Sequence, residues 1–127
     1  MRQGIYNKIT GQCGEDIAAE HLKSKGCKII KRNYKNKIGE IDIIAKNKED
    51  LIFVEVKTRI SDKLGTPAEA VTYYKKRKIV HCAKYYLMQH PSDLNIRFDI
   101  IEVYGSFNGT NFIFDKLNHY EYAFEEV

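Results

Sequence analysis

Two carboxylates and a lysine are spaced so that they could bind a divalent cation. The segments Glu40–Lys46 and Leu51–Thr58 have the pattern of two strands, and the polar turn 47–50 joins them as a hairpin. If the hairpin is symmetric about this turn, Asp42 lies directly opposite Glu55. Opposed carboxylates have Cβ atoms about 4.5–5.5 Å apart and repel each other, so the pair is costly unless a cation lies between them. The spacing therefore predicts a metal site at this end of the hairpin.

Mg²⁺ is the cation that suits such a pair. One or two carboxylates hold it at about 2.0–2.1 Å, and it keeps several waters for a phosphate substrate. Lys57 projects from the same face as Glu55, two residues further along. Its ammonium could hold a metal-bound water or stabilise the charge that builds on a phosphate during in-line attack. The alternatives are a register one residue out and a surface charge ladder, in which Glu40 pairs with Lys57 and Asp42 stays solvated.

The strands that carry these residues also predict what packs on them. One face of the hairpin is wholly apolar and requires a covering helix; its residues are Ile41, Ile43, Ala45, Ile52, Val54 and Val56. The segment Thr10–Lys25 predicts that helix, because apolar residues recur at helical spacing and Gly26 offers a left-handed stop. Glu15 falls on the same stripe as Ala18 and Leu22, so we expect this carboxylate to face the sheet.

The rest of the chain predicts one series of alternating elements. A capping box at 66–69, with Thr66 as N-cap and Pro67 following, predicts a second helix that runs to about His90. The remaining predicted strands are Cys27–Asn33, Ile96–Tyr104 and Asn111–Asp115, the last two joined by a turn at Asn108-Gly109, and Lys116–Val127 is an ambiguous tail. The predicted order is αβββαββ.

The hairpin sequence resembles a known family. The segments GEIDIIA at 39–45 and FVEVKTR at 53–59 are similar to the YraN-like family of uncharacterised bacterial proteins. That family belongs to the PD-(D/E)XK nuclease-like superfamily and is related to Holliday junction resolvases. The likeness extends over nearly the whole chain, through GQCGE at 11–15, RNY at 32–34, RFD at 97–99 and AF at 123–124.

The resemblance implies an α/β protein with a restriction-endonuclease-like αβββαβ core, whose mixed central sheet is flanked by helices, as a single domain over residues 1–127. Asp42, Glu55 and Lys57 match the catalytic positions of the superfamily, and Glu15 matches an acidic residue that resolvases supply from the first helix. The metal ligands would be Asp42 and Glu55, helped by the Val56 carbonyl. We therefore expect hydrolysis of phosphodiester bonds in DNA, particularly branched or structured DNA, with Mg²⁺ or Mn²⁺ as cofactor.

The charge balance is compatible with a nucleic-acid partner. The chain has 21 Lys and Arg against 17 Asp and Glu, a net charge of +4, which favours an anionic partner without requiring one. Candidate phosphate contacts are the basic residues near the hairpin and on the second helix, namely Lys31, Arg32, Lys35, Lys37, Arg59, Lys75 and Lys76. The alternative is that these are ordinary solvated lysine faces. Tyr73 and Tyr74 could stack on bases or serve only as rim packing.

Other classes of chemistry receive little support. Cys13, Cys27 and Cys82 are an odd number without a CxxC pair, so neither a disulfide framework nor a zinc site is predicted, and a reducing cytoplasm is the simplest location. The four histidines show no ligand spacing. No apolar run approaches the length of a membrane span, so no membrane partner is expected.

Two non-enzymatic hypotheses remain open beside the endonuclease. The first is a nucleic-acid-binding module that keeps the fold and its acidic residues without cleaving. The second is a protein-interaction domain whose acidic face binds a basic partner. A resolvase-like reaction on two strands would also imply a homodimer, although the sequence identifies no interface.

Overall fold

The computed structural model of the protein describes residues 3–60 and 71–125. Its elements, in chain order, are α1 (Gln3–Ser24), β1 (Lys28–Lys35), β2 (Glu40–Lys46), β3 (Asp50–Ile60), α2 (Tyr73–Gln89), β4 (Asn95–Asn108) and β5 (Asn111–Phe124). This order confirms the predicted α/β class and the sequence αβββαββ. No helix among the described residues is long and apolar enough to cross a membrane.

The strands form one mixed sheet in the spatial order β1-β2-β3-β4-β5. Neighbouring strands are antiparallel except β3 and β4, which are parallel. A parallel pair needs a crossover connection, and α2 lies in that connection. The sheet therefore has the mixed character that the resemblance implied.

The predicted register of the β2–β3 hairpin is correct for the residues that pair, but the predicted pairs Asp42–Glu55 and Glu40–Lys57 lie beyond the end of the ladder. Lys46 pairs with Leu51, and the ladder continues in step to Ile43 and Val54. The turn fixes this register because the Asn47 side-chain oxygen accepts the backbone N–H groups of residues 49 and 50, at 2.9 and 2.7 Å. A fixed turn places the residues that pair along the ladder on defined faces.

Helices cover the sheet on both faces. On the α1 side, residues of the helix pack on the predicted apolar face of the hairpin, in a cluster of Ala18, Ala19, Leu22, Ile43, Ala45, Ile52, Val54, Ile101 and Val103. On the α2 side, Ile44 and Phe53 pack against Ile79, Val80 and Ala83. The paired residues Ile43–Ala45 of β2 and Ile52–Val54 of β3 are therefore buried on both faces.

One residue of the predicted apolar face lies elsewhere. Ile41 belongs to the cluster beneath α2, together with Ile44 and Phe53. Its assignment to the same face as Ile43 was wrong, because the alternation of side chains is interrupted at Asp42. The interruption falls where the candidate metal ligands were predicted.

Several predicted boundaries were also wrong. The helix predicted over Thr66–His90 begins at Tyr73 in the described residues, where Thr72 is its N-cap and accepts the Lys75 N–H at 3.1 Å. The predicted capping box at 66–69 lies outside the described residues. The ambiguous tail is largely strand, since β5 continues to Phe124. It does so because it pairs with the equally long β4, from Asn108 back to Phe98.

Candidate metal site

A pocket of about 390 Å³ lies between α1, the ends of β2 and β3, and the start of α2. Its lining residues are Thr10, Gly11, Glu15, Glu40, Asp42, Glu55, Val56, Lys57, Thr58, Arg59 and Lys75. The four residues predicted to be catalytic, Glu15, Asp42, Glu55 and Lys57, therefore share one pocket although three separate elements supply them. We call this pocket the acidic pocket.

Asp42 stands where the two hairpin strands cease to pair. The regular ladder ends at Ile43 and Val54, and beyond it the Val56 N–H donates to the Asp42 Oδ2 atom at 2.8 Å. A side-chain oxygen thus takes the hydrogen bond that a strand carbonyl would otherwise accept. This bond fixes the Asp42 carboxylate beside the backbone of Val56, whose carbonyl was predicted as a further ligand.

The acidic pocket brings two buried carboxylates close together. The pKa of Asp42 is raised to about 7, first because the group is buried and then because the Glu55 carboxylate lies nearby, while the Val56 hydrogen bond acts in the opposite direction. Glu55 is itself buried, with 6% of its surface exposed. Two neighbouring buried carboxylates are a ligand arrangement that suits a hard divalent cation.

Glu15 adds a third carboxylate, which reaches the pocket from α1. Its Oε1 atom is buried and has no hydrogen-bond donor, and the Arg32 guanidinium lies 3.8 Å away. Burial raises the pKa of Glu15, and Arg32 offsets part of the effect. A buried oxygen without a donor is costly unless another group satisfies it, so this atom also fits the ligand set of a cation.

Two lysines face the acidic pocket. The Lys75 Nζ atom donates to the Glu55 Oε1 atom at 2.9 Å. Burial and the neighbouring Lys75 lower the pKa of Lys57, whereas the pKa of Lys75 is raised because Glu55 outweighs the effect of burial. Lys57 therefore lies close to the carboxylates, as its spacing from Glu55 predicted.

Sequence reasoning did not assign Lys75 to this pocket. Lys75 was predicted as a phosphate contact on the second helix, near the acidic residues, and the predicted N-cap Thr66 lies six residues before the observed N-cap Thr72. The signal that could have placed it is Thr72 three residues earlier, which is an equally good N-cap residue. A helix that begins there presents Lys75 in its first turn, facing the ends of the strands.

The other residues that were predicted to contact phosphates differ in their exposure and in the contacts that their side chains already make. Arg32 bonds to Asp16 at 2.7 Å and is only 31% exposed, so its guanidinium is already engaged. Lys35 is 73% exposed and lies 3.8 Å from Glu40. Lys31 and Lys37 are exposed, Arg59 lines the acidic pocket, and Lys76 lies over the ring of Phe124. Their contact with nucleic acid stays a prediction.

A second group of polar side chains lies on β4 and β5, near the end of α1. Asp99, His119 and Glu121 each offer one atom within 4.8 Å of the others. Arg97 already neutralises part of this group, because its guanidinium lies 2.9 Å from Asp99 and 3.3 Å from Glu121. His119 bonds to Asp99 at 2.7 Å and to His21 at 3.0 Å. We interpret it as a structural ion-pair network. Sequence spacing could not reveal it, because the contacts of Asp99 with His119 and of Arg97 with Glu121 depend on the register between β4 and β5.

Comparison with known proteins gives a consistent family match. The model of the uncharacterised protein family UPF0102 matches residues 14–103. A UPF0102 protein of Clostridioides difficile is 50% identical over 79% of this chain and 89% of its own length. One from Caldanaerobacter subterraneus subsp. tengcongensis is 46% identical over 94% of this chain and 98% of its own, and one from Clostridium beijerinckii is 42% identical over 93% and 94%.

Proposed function

The chain belongs to the uncharacterised protein family UPF0102, the YraN-like group that its motifs indicate, and we propose that it is a divalent-metal-dependent endonuclease that hydrolyses phosphodiester bonds in DNA. The observation that carries the proposal is the position of Asp42. Its carboxylate is fixed at the point where the hairpin opens, beside Glu55 and Lys57. Family membership supplies no activity of its own.

Each side chain of the acidic pocket has a role in this proposal. Asp42, Glu55 and the Val56 carbonyl would hold Mg²⁺ or Mn²⁺, with Glu15 as an additional carboxylate. When bound, the cation supplies positive charge for the phosphate and lowers the pKa of a water. Lys57 donates hydrogen bonds to the attacking water or to a phosphate oxygen, and so orients the reacting groups and opposes their developing charge.

Exposed lysines beside the pocket support a nucleic-acid substrate. Lys31, Lys35 and Lys37 lie on or just after β1, which precedes the strand that carries Asp42. Phosphate contacts of this kind fix the position of a strand without reading its sequence. We therefore propose that affinity depends on salt and little on base sequence.

One observation favours the binding module over the enzyme. The Lys75 ammonium already pairs with Glu55 at 2.9 Å, so a cation of the protein itself neutralises part of the acidic pocket. A domain that binds DNA without cleaving it would keep such a pair. In an enzyme, Lys75 must release Glu55 when the metal binds.

Single-turnover cleavage of labelled DNA separates these two functions. The substrates are a four-way junction, a flap and a linear duplex, each with Mg²⁺ or Mn²⁺. We expect wild-type protein to cut a branched substrate, and Lys57→Ala and Asp42→Asn to reduce the rate by at least about a hundredfold while DNA affinity changes little. Lys48→Ala, at an exposed position of the 47–50 turn, is the matched control and should cut normally. Binding without cuts in either metal would reject the enzyme and leave the binding module.

A further inference from the structure

A second cavity, of about 670 Å³, lies beside the acidic pocket, and we call it the groove. It runs between the turn that follows β1 and the first turns of α2. Its lining includes Asn36, Gly39, Thr72, Tyr74 and Ile79. Glu40 and Lys75 line both cavities, so the groove continues directly from the acidic pocket.

The groove has the chemistry of a nucleotide site. Tyr74 and Ile79 supply apolar surface, while Lys35, Lys75 and Lys78 bring positive charge to the same cavity. Its volume is that of a cavity that holds a small organic ligand, about 300–1,000 Å³. An aromatic ring beside cationic groups is the arrangement that binds single-stranded nucleic acid, in which bases stack and phosphates pair with lysines.

Tyr74 is the residue in the groove that could stack on a base. Its surface is 70% exposed, although it is a large aromatic side chain. The Lys78 Nζ atom lies 5.7 Å from the centre of the ring, which holds a positive charge beside the position that a base would occupy. The ring therefore offers exposed surface at the groove without any rearrangement of the core.

The start of α2 also concentrates positive charge, of which the Lys75 ammonium is paired with Glu55. Lys75, Lys76, Arg77 and Lys78 are consecutive, and the first turn has no acidic residue. The N-terminal end of a helix carries partial positive charge and favours anions, so four basic residues there repel it and one another. A phosphate backbone along the groove would relieve this repulsion.

We propose that the groove binds one unpaired nucleotide next to the phosphate that the acidic pocket acts on. The location relative to the scissile phosphate rests on the proposed function, whereas the binding of an unpaired nucleotide does not. A base inside a duplex is stacked on both faces and paired at its edge, so it enters such a groove only after leaving the helix. The substrate class is therefore DNA with at least one nucleotide outside the duplex, such as a flap or a branch point, in preference to fully paired DNA.

Tyr73 and Tyr74 give a matched pair of variants for testing this. Tyr73 is 65% exposed and Tyr74 is 70% exposed, and both lie in the first turn of α2. Tyr74 lines the groove, whereas Tyr73 is not among its lining residues. Replacing either exposed ring should leave the fold intact, which the melting temperature checks.

The experiment measures binding and cutting on the same DNA molecules. A flap and a fully paired duplex of equal length carry the fluorescent base 2-aminopurine, in the flap at the first unpaired nucleotide. Binding is titrated with Ca²⁺ in place of Mg²⁺, and cutting is then measured with Mg²⁺. For wild type we expect protein binding to lower the 2-aminopurine fluorescence of the flap, because stacking on an aromatic ring quenches it, and to leave that of the duplex unchanged, where neighbouring bases already quench it.

The expected result is selective loss in one variant. Tyr74→Ala should weaken flap binding by roughly fivefold to a hundredfold, the range for loss of one base–aromatic stack, and should abolish the quenching. Tyr73→Ala should match wild type, and Tyr74→Phe should retain binding because the ring remains. Duplex affinity should be equal in all four proteins.

Failure of the inference and failure of the proposed function give different results. If Tyr73→Ala and Tyr74→Ala affect flap binding equally, or if wild type prefers the duplex, the groove is not a nucleotide site, even when the protein cuts DNA. If quenching depends on Tyr74 but no DNA is cut, the endonuclease is rejected and the nucleotide site stands. If wild type binds neither DNA, both are overturned.

Discussion

The surroundings of Asp42 disfavour the ionised form of its carboxylate. Burial and the nearby Glu55 and Glu15 carboxylates raise its pKa to about 7, whereas the Val56 N–H and Lys75 favour its ionised form. In the unfolded chain the same group has a pKa near 3.8. Ionisation of Asp42 therefore costs native-state stability, which a metal or a proton can restore.

This cost predicts a pH-dependent effect of Asp42→Asn. The raised pKa means that Asp42 destabilises the native state progressively as pH rises from about 4 through 7, and has no such effect below the unfolded value. In metal-free protein we expect Asp42→Asn to be more stable than wild type at pH 8, by an order of 1 kcal/mol or more, and equal to it near pH 3.5. Urea unfolding at the two pH values measures this. A difference independent of pH would refute the electrostatic explanation.

Arg97 illustrates a motif residue whose role is structural. It is 6% exposed, donates two hydrogen bonds to Asp99 at 3.0 and 2.9 Å, and bonds to Asp50 at 2.9 Å. The sequence indicated Arg97 only as part of the RFD segment at 97–99 that resembles the family. Its partners could not be predicted, because Asp50 lies on a different strand and comes close only through the parallel pairing of β3 with β4.

Removal of Arg97 should be strongly destabilising. Arg97→Met would leave Asp50 and Asp99 buried without their cation, and breaking a buried pair from one side costs about 3–5 kcal/mol. Arg77→Met, at an exposed position of α2, is the control and should change stability by less than about 0.5 kcal/mol. Chemical denaturation compares them. Similar losses of stability in both variants would show that the ion pairs of Arg97 do not stabilise the protein more than an exposed arginine does.

At the scale of elements, the position of α1 against β3 decides where Glu15 lies. Gly14 is buried and so close to β3 that a Cβ atom there would overlap the Thr58 side chain. Gly11, one turn earlier, has open space around the same position. The close approach at Gly14 brings Glu15 to the acidic pocket, and a larger residue would move the helix away.

These two glycines predict opposite effects of the same substitution. Gly14→Ala should destabilise the protein by about 1–3 kcal/mol through overpacking, and should weaken Mn²⁺ binding because Glu15 is displaced. Gly11→Ala should stabilise it by about 0.5–1 kcal/mol, since alanine favours helix. Thermal unfolding and Mn²⁺ titration of both variants test this. Equal effects would mean that α1 does not touch β3 at Gly14.

The elements also mark the limit of what the sequence could predict. The β2–β3 register was predictable because a short polar turn and strict alternation determine it locally. The start of α2 was not, since two N-cap signals, Thr66 and Thr72, compete and only packing on the sheet selects between them. The length of β5 depends on pairing with β4, and the alternation of its own side chains does not indicate it. The contact of Lys75 with Glu55 was consequently not predicted.

At the scale of the whole molecule, the basic residues are expected to determine affinity for DNA. Lys31 and Lys35 lie on β1, which pairs with the strand that carries Asp42, and Lys37 lies in the turn between these two strands. Lys23, Lys25 and Lys48 lie at the end of α1 and in the hairpin turn, and all are exposed. The two sets carry equal charge at different places. Replacing one set or the other therefore distinguishes an effect of local phosphate contacts on DNA affinity from an effect of net charge.

Replacement of each set by alanine should therefore affect DNA binding differently. Loss of Lys31, Lys35 and Lys37 should flatten the dependence of log affinity on log salt by up to about 0.9 for each lost phosphate contact. Loss of Lys23, Lys25 and Lys48 should leave that slope nearly unchanged. Fluorescence anisotropy at several salt concentrations measures both. Equal slopes in the two triple variants would indicate that only net charge attracts DNA.

The central claim is that the carboxylates where β2 and β3 diverge form a metal site, and anomalous X-ray scattering from crystals soaked in Mn²⁺ tests it most directly. We predict a peak within coordinating distance of both Asp42 and Glu55, with Lys75 displaced from its 2.9 Å contact with Glu55. A peak only at Asp99, His119 and Glu121, or no peak in the acidic pocket while Lys75 still binds Glu55, would contradict the claim.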